Sequence, residues 1–149
     1  MTDEARTLLV VTGPAGRSFA VRELPASGRF VADDLDESRR LGDLNGDLTP
    51  FLVTIQDAPF IVFAGTVLSP GGADRVDITS PGLAGIHQAC HVRNHVWMSF
   101  PEPFTDGMVI TATWREGERV LFERQSEPIR PDALEPIFGP SWTSYAPLD

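Results

Sequence analysis

The histidines and the cysteine of this chain lie together in one short stretch. His87, His91 and His95 are all of its histidines, each four residues from the next, and Cys90 is its single cysteine. Two histidines four residues apart on one helix face supply two of the three or four ligands that Zn²⁺ requires. One hypothesis is therefore a zinc site at these three histidines, in a small metal-binding protein or a metal-dependent enzyme.

The residues around the histidines favour a second interpretation. Position 88 is Gln where a zinc protease has its catalytic Glu, and Asn94 indicates a turn that ends any helix before His95. The helix expected here begins near Ser80. A cluster of surface histidines explains the same pattern without metal, and Cys90 is interpreted as a buried, unreactive thiol.

Aromatic side chains form a second group of candidates. Trp97 alternates with Val96 and Met98 along a predicted strand, so we expect it on the opposite, exposed face. Residues 126–149 are rich in Pro, which prevents a regular strand ladder, yet they also carry large apolar side chains. This segment is predicted to be an extended tail that packs on its own domain or on a partner. The predicted partner-binding residues are Trp97, Phe138, Trp142 and Tyr145.

Short apolar runs separated by glycines and prolines predict that the elements positioning these residues are strands. The apolar run 60–64 is typical of a central strand buried on both faces, and Gly65 after it indicates a bulge or a close backbone approach. Alternation over 108–124 predicts a hairpin that turns at Gly117. Asp34 followed by Glu37 predicts a capped short helix that ends near Gly42, and a solvated acidic loop is the alternative for the same residues.

These elements predict an all-β fold: one two-sheet β-sandwich over residues 1–125, immunoglobulin-like or jelly-roll-like, with short helical insertions and the C-terminal tail. The strand rhythm of residues 63–125 resembles immunoglobulin- and fibronectin-III-like modules of high-GC Gram-positive bacteria. The segments carrying the resemblance are Ala64-Gly65-Thr66-Val67, Ala73-Asp74-Arg75-Val76-Asp77-Ile78, Arg93-Asn94-His95-Val96-Trp97, Val109-Ile110-Thr111-Ala112-Thr113-Trp114 and Gly117-Glu118-Arg119-Val120-Leu121. The resemblance implies a fold and no activity.

The composition of the chain excludes some classes of chemistry and disfavours some classes of partner. The chain has 149 residues and a net charge of −9, and its twelve basic residues are all Arg. The absence of Lys excludes Schiff-base and P-loop lysine chemistry. The negative charge disfavours nucleic acid and acidic membranes as partners. The acidic N-terminus lacks a signal-peptide pattern, which predicts a cytoplasmic protein.

The function expected from the sequence is therefore a non-catalytic protein-interaction or assembly module with an acidic surface. Its partner would be another protein or a second copy of the chain. Two alternatives stay open: the zinc site at His87, His91 and His95, and a small hydrophobic ligand held between the sheets.

Overall fold

A computed structural model describes residues 5–67, 73–80, 87–126 and 128–129, with the backbone alone for His87. The strands are β1 (Arg6–Thr12), β2 (Ser18–Leu24), β3 (Arg29–Asp34), β4 (Arg39–Asp43), β5 (Thr49–Ile55), β6 (Ala58–Thr66), β7 (Arg75–Thr79), β8 (His87–His91), β9 (Val96–Met98), β10 (Glu102–Pro103), β11 (Thr111–Glu116) and β12 (Arg119–Gln125). The helical segment within these ranges is one 3₁₀ turn, Pro14–Gly16.

The strands are antiparallel and hydrogen-bonded into three sheets of four strands. Sheet A has the order β1-β2-β3-β4, and sheet C has the order β12-β11-β7-β8. In sheet B, β6 pairs with β5 on one side and with β9 and β10 on the other. The predicted all-β class is therefore confirmed, and the apolar faces of the strands pack against one another as in a sandwich.

Sheet B is buried on both faces. Along β6, Ile61 and Phe63 belong to one cluster of buried residues, together with the inward residues of sheet C; we call this cluster core C. Val62 and Ala64 belong to a second cluster with the inward residues of sheet A, which we call core A. Successive residues of a strand point to opposite faces, so one strand contributes to both cores. The expectation that the 60–64 strand is buried on both sides is confirmed.

Tight turns join neighbouring strands at the predicted places. The 3₁₀ turn closes the β1–β2 hairpin, and Gly117, with φ 60°, closes the β11–β12 hairpin predicted over 108–124. The β5–β6 hairpin uses a two-residue turn, 56–57, in which both residues have positive φ, and a turn of the same kind at 94–95 leads from β8 of sheet C to β9 of sheet B. These left-handed turns match the twist of the strands they connect.

The helix predicted to begin at Asp34 is wrong. Residues 35–38 form a turn between β3 and β4, and the Asp34 carboxylate accepts a hydrogen bond of 3.1 Å from the backbone N–H of Glu37. An Asp side chain closes a turn by the same bond to a backbone N–H that it forms at a helix N-terminus. The sequence pattern therefore identified the hydrogen bond and assigned it to the wrong element.

Three edge strands carry a bulge, and the extra residue is Leu each time. The registers skip Leu8 in β1, Leu41 in β4 and Leu121 in β12. Leu8 is buried in core A, Leu41 packs against core A and Leu121 packs against core C. Each bulge interrupts the ladder at a sheet edge and sends an apolar side chain inward.

A close backbone approach at Gly65 is also confirmed. A Cβ at this position would lie 2.0 Å from the backbone oxygen of Asp47 and 2.7 Å from Nε1 of Trp97. That same Nε1 donates a 3.0 Å hydrogen bond to the Asp47 oxygen. Glycine is therefore required where β6 passes beneath this bond.

Packing continues past the predicted boundary at residue 125. The Ser126 hydroxyl accepts a 2.9 Å hydrogen bond from the Ile110 backbone N–H, and Ile129 is buried in core C. The predicted tail residues Phe138, Trp142 and Tyr145 lie outside the described residues, as does the segment where the helix near Ser80 was predicted. No helix in the described ranges is long and apolar enough to cross a membrane.

Candidate functional site

The histidine stretch folds as a strand. Residues 87–91 form β8, in which two positions four residues apart lie roughly 13 Å apart along the backbone. His91 is exposed, and His95 occupies the second position of the 94–95 turn with φ 66°. The helical spacing proposed for two zinc ligands is therefore wrong. Among the described residues no three His, Cys, Asp or Glu side chains form a metal-binding group. The His87 side chain is not described, so the zinc site stays a prediction.

Cys90 is a buried thiol, as interpreted from the sequence. It points into core C, and its burial raises its pKa to about 12, with the negative charges of Asp77 and Glu102 adding to the shift. A thiolate is the reactive form of cysteine, and little of it exists at neutral pH with such a pKa. Cys90 is therefore a packing residue in this structure.

Trp97 is not a partner-facing residue. Its exposed fraction is 0%, and its ring meets that of Trp114 edge to face at a centroid distance of 6.3 Å. The predicted alternation with Val96 and Met98 is correct, since these two residues lie in core A and Trp97 in core C. The prediction of exposure is wrong because both faces of sheet B are covered.

At least three surface pockets are lined by described residues, and the first of these contains His91. It has a volume of about 630 Å³ and lies where β7, β8 and the β11–β12 turn meet. Positive and negative side chains are mixed there, and the Asp74 carboxylate already accepts a 3.0 Å hydrogen bond from the Gly117 backbone N–H. The pocket residues are Asp74, Arg75, His91, Val92, Arg93, Gly117 and Glu118. This balanced lining selects no class of ligand.

The second pocket, about 440 Å³, lies between β4 of sheet A and the beginning of β5 in sheet B. Leu41, Leu44 and Phe51 contribute apolar side chains to its wall. It occupies the kind of position that a small hydrophobic ligand between sheets would need.

The third pocket, about 450 Å³, is the richest in guanidinium groups, and we call it the arginine pocket. It lies over β3, β4 and the turn between them. Its lining residues are Arg22, Asp33, Asp34, Leu35, Ser38, Arg39 and Arg40. Two of these arginines come from β4, one from β2, and the carboxylates come from the end of β3 between them.

Asp33 holds two of the pocket's arginines in place. Its side chain is almost buried, and it accepts hydrogen bonds of 2.9 and 3.3 Å from Nε and Nη2 of Arg40. A further bond of 3.3 Å comes from Nη1 of Arg22 on the other side. The hydrogen bond to Asp33 raises the pKa of Arg40 above its usual value. Two guanidinium groups are thus oriented by one carboxylate, as a binding site requires.

The neighbouring carboxylate is engaged elsewhere. Asp34 forms an ion pair with Arg17 and accepts the Glu37 backbone bond that closes the turn. Arg17 also donates a 3.1 Å hydrogen bond to the backbone oxygen of Thr54, which ties sheet A to sheet B. The charge of Asp34 is therefore matched by Arg17, and Asp33 is the carboxylate that pairs with Arg22 and Arg40.

Arg39 is the free cation of the pocket. It is exposed at the pocket rim, and its side chain forms no ion pair or hydrogen bond with any of the described residues. The pocket lining has three guanidinium groups and two carboxylates, a net charge of +1. One of the carboxylates, Asp34, is paired with Arg17, whose Nε also lies 3.9 Å from Asp36. This positive site stands out on a chain of net charge −9.

Sequence reasoning missed these residues. Arg22 lies eleven residues before Asp33, and only the strand register brings the two side chains together. A usable signal was present in the doublets Asp33-Asp34 and Arg39-Arg40, which flank a turn and so must face each other in a hairpin.

Comparison of the chain with protein-family models, with curated proteins and with solved structures finds no match.

Proposed function

We propose that this chain is a non-catalytic protein-interaction module that binds its partner at the arginine pocket. The observation that supports the proposal is Arg39, an exposed guanidinium with no partner among the described residues, beside two arginines already oriented by Asp33. Arginine is enriched among the residues that contribute most to protein–protein binding. The guanidinium groups of Arg22 and Arg40 are fixed by Asp33 before binding, so they lose little conformational entropy when a partner arrives.

The pocket also offers apolar surface. Leu35 lines it and keeps 38% of its surface exposed. An apolar contact at the centre with charged groups around it is the usual anatomy of a protein interface. The proposed partner is therefore a protein other than this chain, with an acidic group next to an apolar one.

Photocrosslinking tests the proposal. The full chain carrying p-benzoylphenylalanine in place of Leu35 is expressed in its natural host, and the crosslinked species is identified by mass spectrometry. Val120, 50% exposed on the edge of sheet C, is the matched control position. We expect one specific product from position 35, none from position 120, and its loss when Arg39→Glu is added.

The affinity of the purified partner for the unmodified chain and for an Arg39 variant is then measured. Arg39→Ala should weaken binding at least tenfold, the effect of about 1.4 kcal/mol. Equal crosslinking from positions 35 and 120, an unchanged affinity for Arg39→Ala, or a product with twice the mass of this chain would each overturn the proposal.

The pocket between β4 and β5 supports a second candidate function, the binding of a small hydrophobic ligand. Leu41, Leu44 and Phe51 supply apolar surface there, and about 440 Å³ is within the volume range of small-molecule sites. Native mass spectrometry of the purified chain should show an apolar adduct that Leu44→Asp removes and Val120→Asp retains. A bare chain mass in the unmodified protein contradicts this candidate.

A further inference from the structure

The chemistry of the arginine pocket points to a class of ligand group. Each guanidinium carries five N–H donors in a planar fork, and this geometry matches two oxygens of a carboxylate or a phosphate. Asp33 uses one donor of Arg22 and two of Arg40. Most donors of the three pocket arginines therefore point elsewhere than to Asp33.

One of the remaining donors is buried. Nε of Arg22 is shielded from solvent and has no hydrogen-bond partner among the described residues. A buried donor without a partner is costly, and an oxyanion entering from the pocket would place an acceptor next to this cluster. The free fork of Arg39 at the rim offers a two-point contact to the same anion.

We infer that the arginine pocket is an oxyanion site that binds a carboxylate or phosphate group through Arg39, with Arg40 and Arg22 supplying the adjacent positive charge. The inference rests on the proposed function, since the anion would be carried by the partner protein as an acidic or a phosphorylated side chain. Asp33 is the positioning residue, because it orients two of the three guanidinium groups.

The turn next to the pocket contains a group that opposes binding. Glu37 is exposed in the 35–38 turn and does not line the pocket. Its negative charge repels an incoming anion across the turn. Glu37→Gln should therefore tighten anion binding, whereas substitutions of Arg39 weaken it.

Arginine side-chain NMR provides a direct test. The full chain is titrated with inorganic phosphate and, separately, with glutarate, while the Nε–H signals of its arginines are followed at constant ionic strength set with sodium chloride. We expect saturable shifts of Arg22, Arg39 and Arg40, and none beyond the salt response for the exposed Arg6 and Arg119. The tighter of the two titrations identifies whether the natural group is a phosphate or a carboxylate.

Variants connect the shifts to the pocket. Arg39→Ala should weaken the fitted affinity at least tenfold, Arg39→Lys should give an intermediate value because it keeps the charge and loses the fork, and Glu37→Gln should strengthen binding about two- to threefold, as expected for one nearby surface charge. Circular dichroism confirms that each variant is folded. Shifts no larger than those of Arg6 and Arg119, or an affinity unaffected by Arg39→Ala, would overturn the inference.

The two proposals fail separately. A crosslinked partner without saturable anion shifts removes the oxyanion site and leaves the interaction module in place. Saturable anion shifts without a crosslinked partner remove the protein partner and leave a site for a free anion.

Discussion

At Gly65 the fold leaves no room for a side chain. Its missing Cβ would overlap the Asp47 carbonyl that accepts the Trp97 indole bond, so an added methyl group must displace sheet B, the Asp47 backbone or both. The contact is with backbone atoms, which cannot rotate away as a flexible side chain can. A single methyl group therefore disturbs the junction of β6, β9 and the loop before β5.

We expect Gly65→Ala to lower the free energy of unfolding by about 3 kcal/mol, the upper part of the range for overpacking. Urea denaturation followed by circular dichroism measures the change. Gly117→Asn is the control, because its position is open and Asn tolerates a φ of 60°. A Gly65→Ala loss no greater than that of the control would contradict the close approach.

Asp47 and Asp43 should give pH dependences of opposite sign. Burial raises the pKa of Asp47, with Arg124 only partly offsetting the shift, so its folded-state charge is unfavourable and stability is lost as pH rises through the folded pKa. The hydrogen bond and charge of Arg29 lower the pKa of Asp43, so its contribution is present above the unfolded pKa and lost as pH falls. The Asp43–Arg29 pair is half exposed, and solvent screening keeps its effect small.

Asn variants test these signs, because Asn carries no charge at any pH. Relative to the unmodified chain, Asp47→Asn should become more stable as pH rises from about 3.5 to 7, and Asp43→Asn should become less stable over the same interval. Urea midpoints at four or five pH values provide both slopes. If the stability difference from the unmodified chain changed with pH in the same direction for both variants, the opposite pKa shifts of Asp47 and Asp43 would be contradicted.

At the scale of the elements, the three leucine bulges protect the sheet edges. An edge strand with a regular ladder offers its free N–H and C=O groups to another chain, and a bulge twists those groups out of line. In β1, β4 and β12 the extra residue is also an anchor, since its side chain packs toward a core. Edge β5 has Pro50 in place of a bulge, which removes one backbone donor.

Removing one bulge should create a pairing edge. Deletion of Leu121 restores a continuous β11–β12 ladder, so we expect increased self-association in sedimentation velocity at tens of micromolar protein. Leu121→Ala is the matched control, because it loses the side chain and retains the extra residue. Both variants should lose about 1–3 kcal/mol of stability. If both sediment as the unmodified chain does, the bulge does not protect this edge.

At the scale of the whole molecule, sheet B couples the two cores. Ile55 lies in core A and Ile61 in core C, both fully buried on neighbouring strands. Trp97 and Trp114 both lie in core C, so in a Trp142→Phe background, where they are the two remaining tryptophans, the fluorescence responds directly to one core only. A loss of packing in core A reaches them only if both cores unfold together.

Ile55→Val and Ile61→Val form a matched pair for this test. Each should cost about 0.5–1.5 kcal/mol. In both variants the unfolding midpoints from tryptophan fluorescence and from far-ultraviolet circular dichroism should coincide, as expected for one cooperative transition. A midpoint from fluorescence that stays unchanged in Ile55→Val would show that core C unfolds on its own.

The sequence predicts the strands and hairpins well because those signals are local. Alternation identified both faces of the Trp97 strand, and Gly117 identified the hairpin turn. Alternation shows which residues share a face but not whether that face is exposed to solvent. The sequence of the Trp97 strand therefore could not predict that another sheet covers Trp97. The doublets around the β3–β4 turn indicate one half of the arginine pocket, but no local pattern in the sequence specifies the β2–β3 register that brings Arg22 to Asp33.

The position of β9 has a consequence for biosynthesis. Sheet A pairs each strand with its neighbour in sequence, so this meander can form as soon as β4 leaves the ribosome. Its apolar face is covered by residues of β5, β6 and finally β9, whose Val96 and Met98 are made more than fifty residues after β4 ends. Until β9 is made, the nascent chain carries a paired sheet whose apolar face is only partly covered, and this is the stage of synthesis at which a chaperone would find the most to bind.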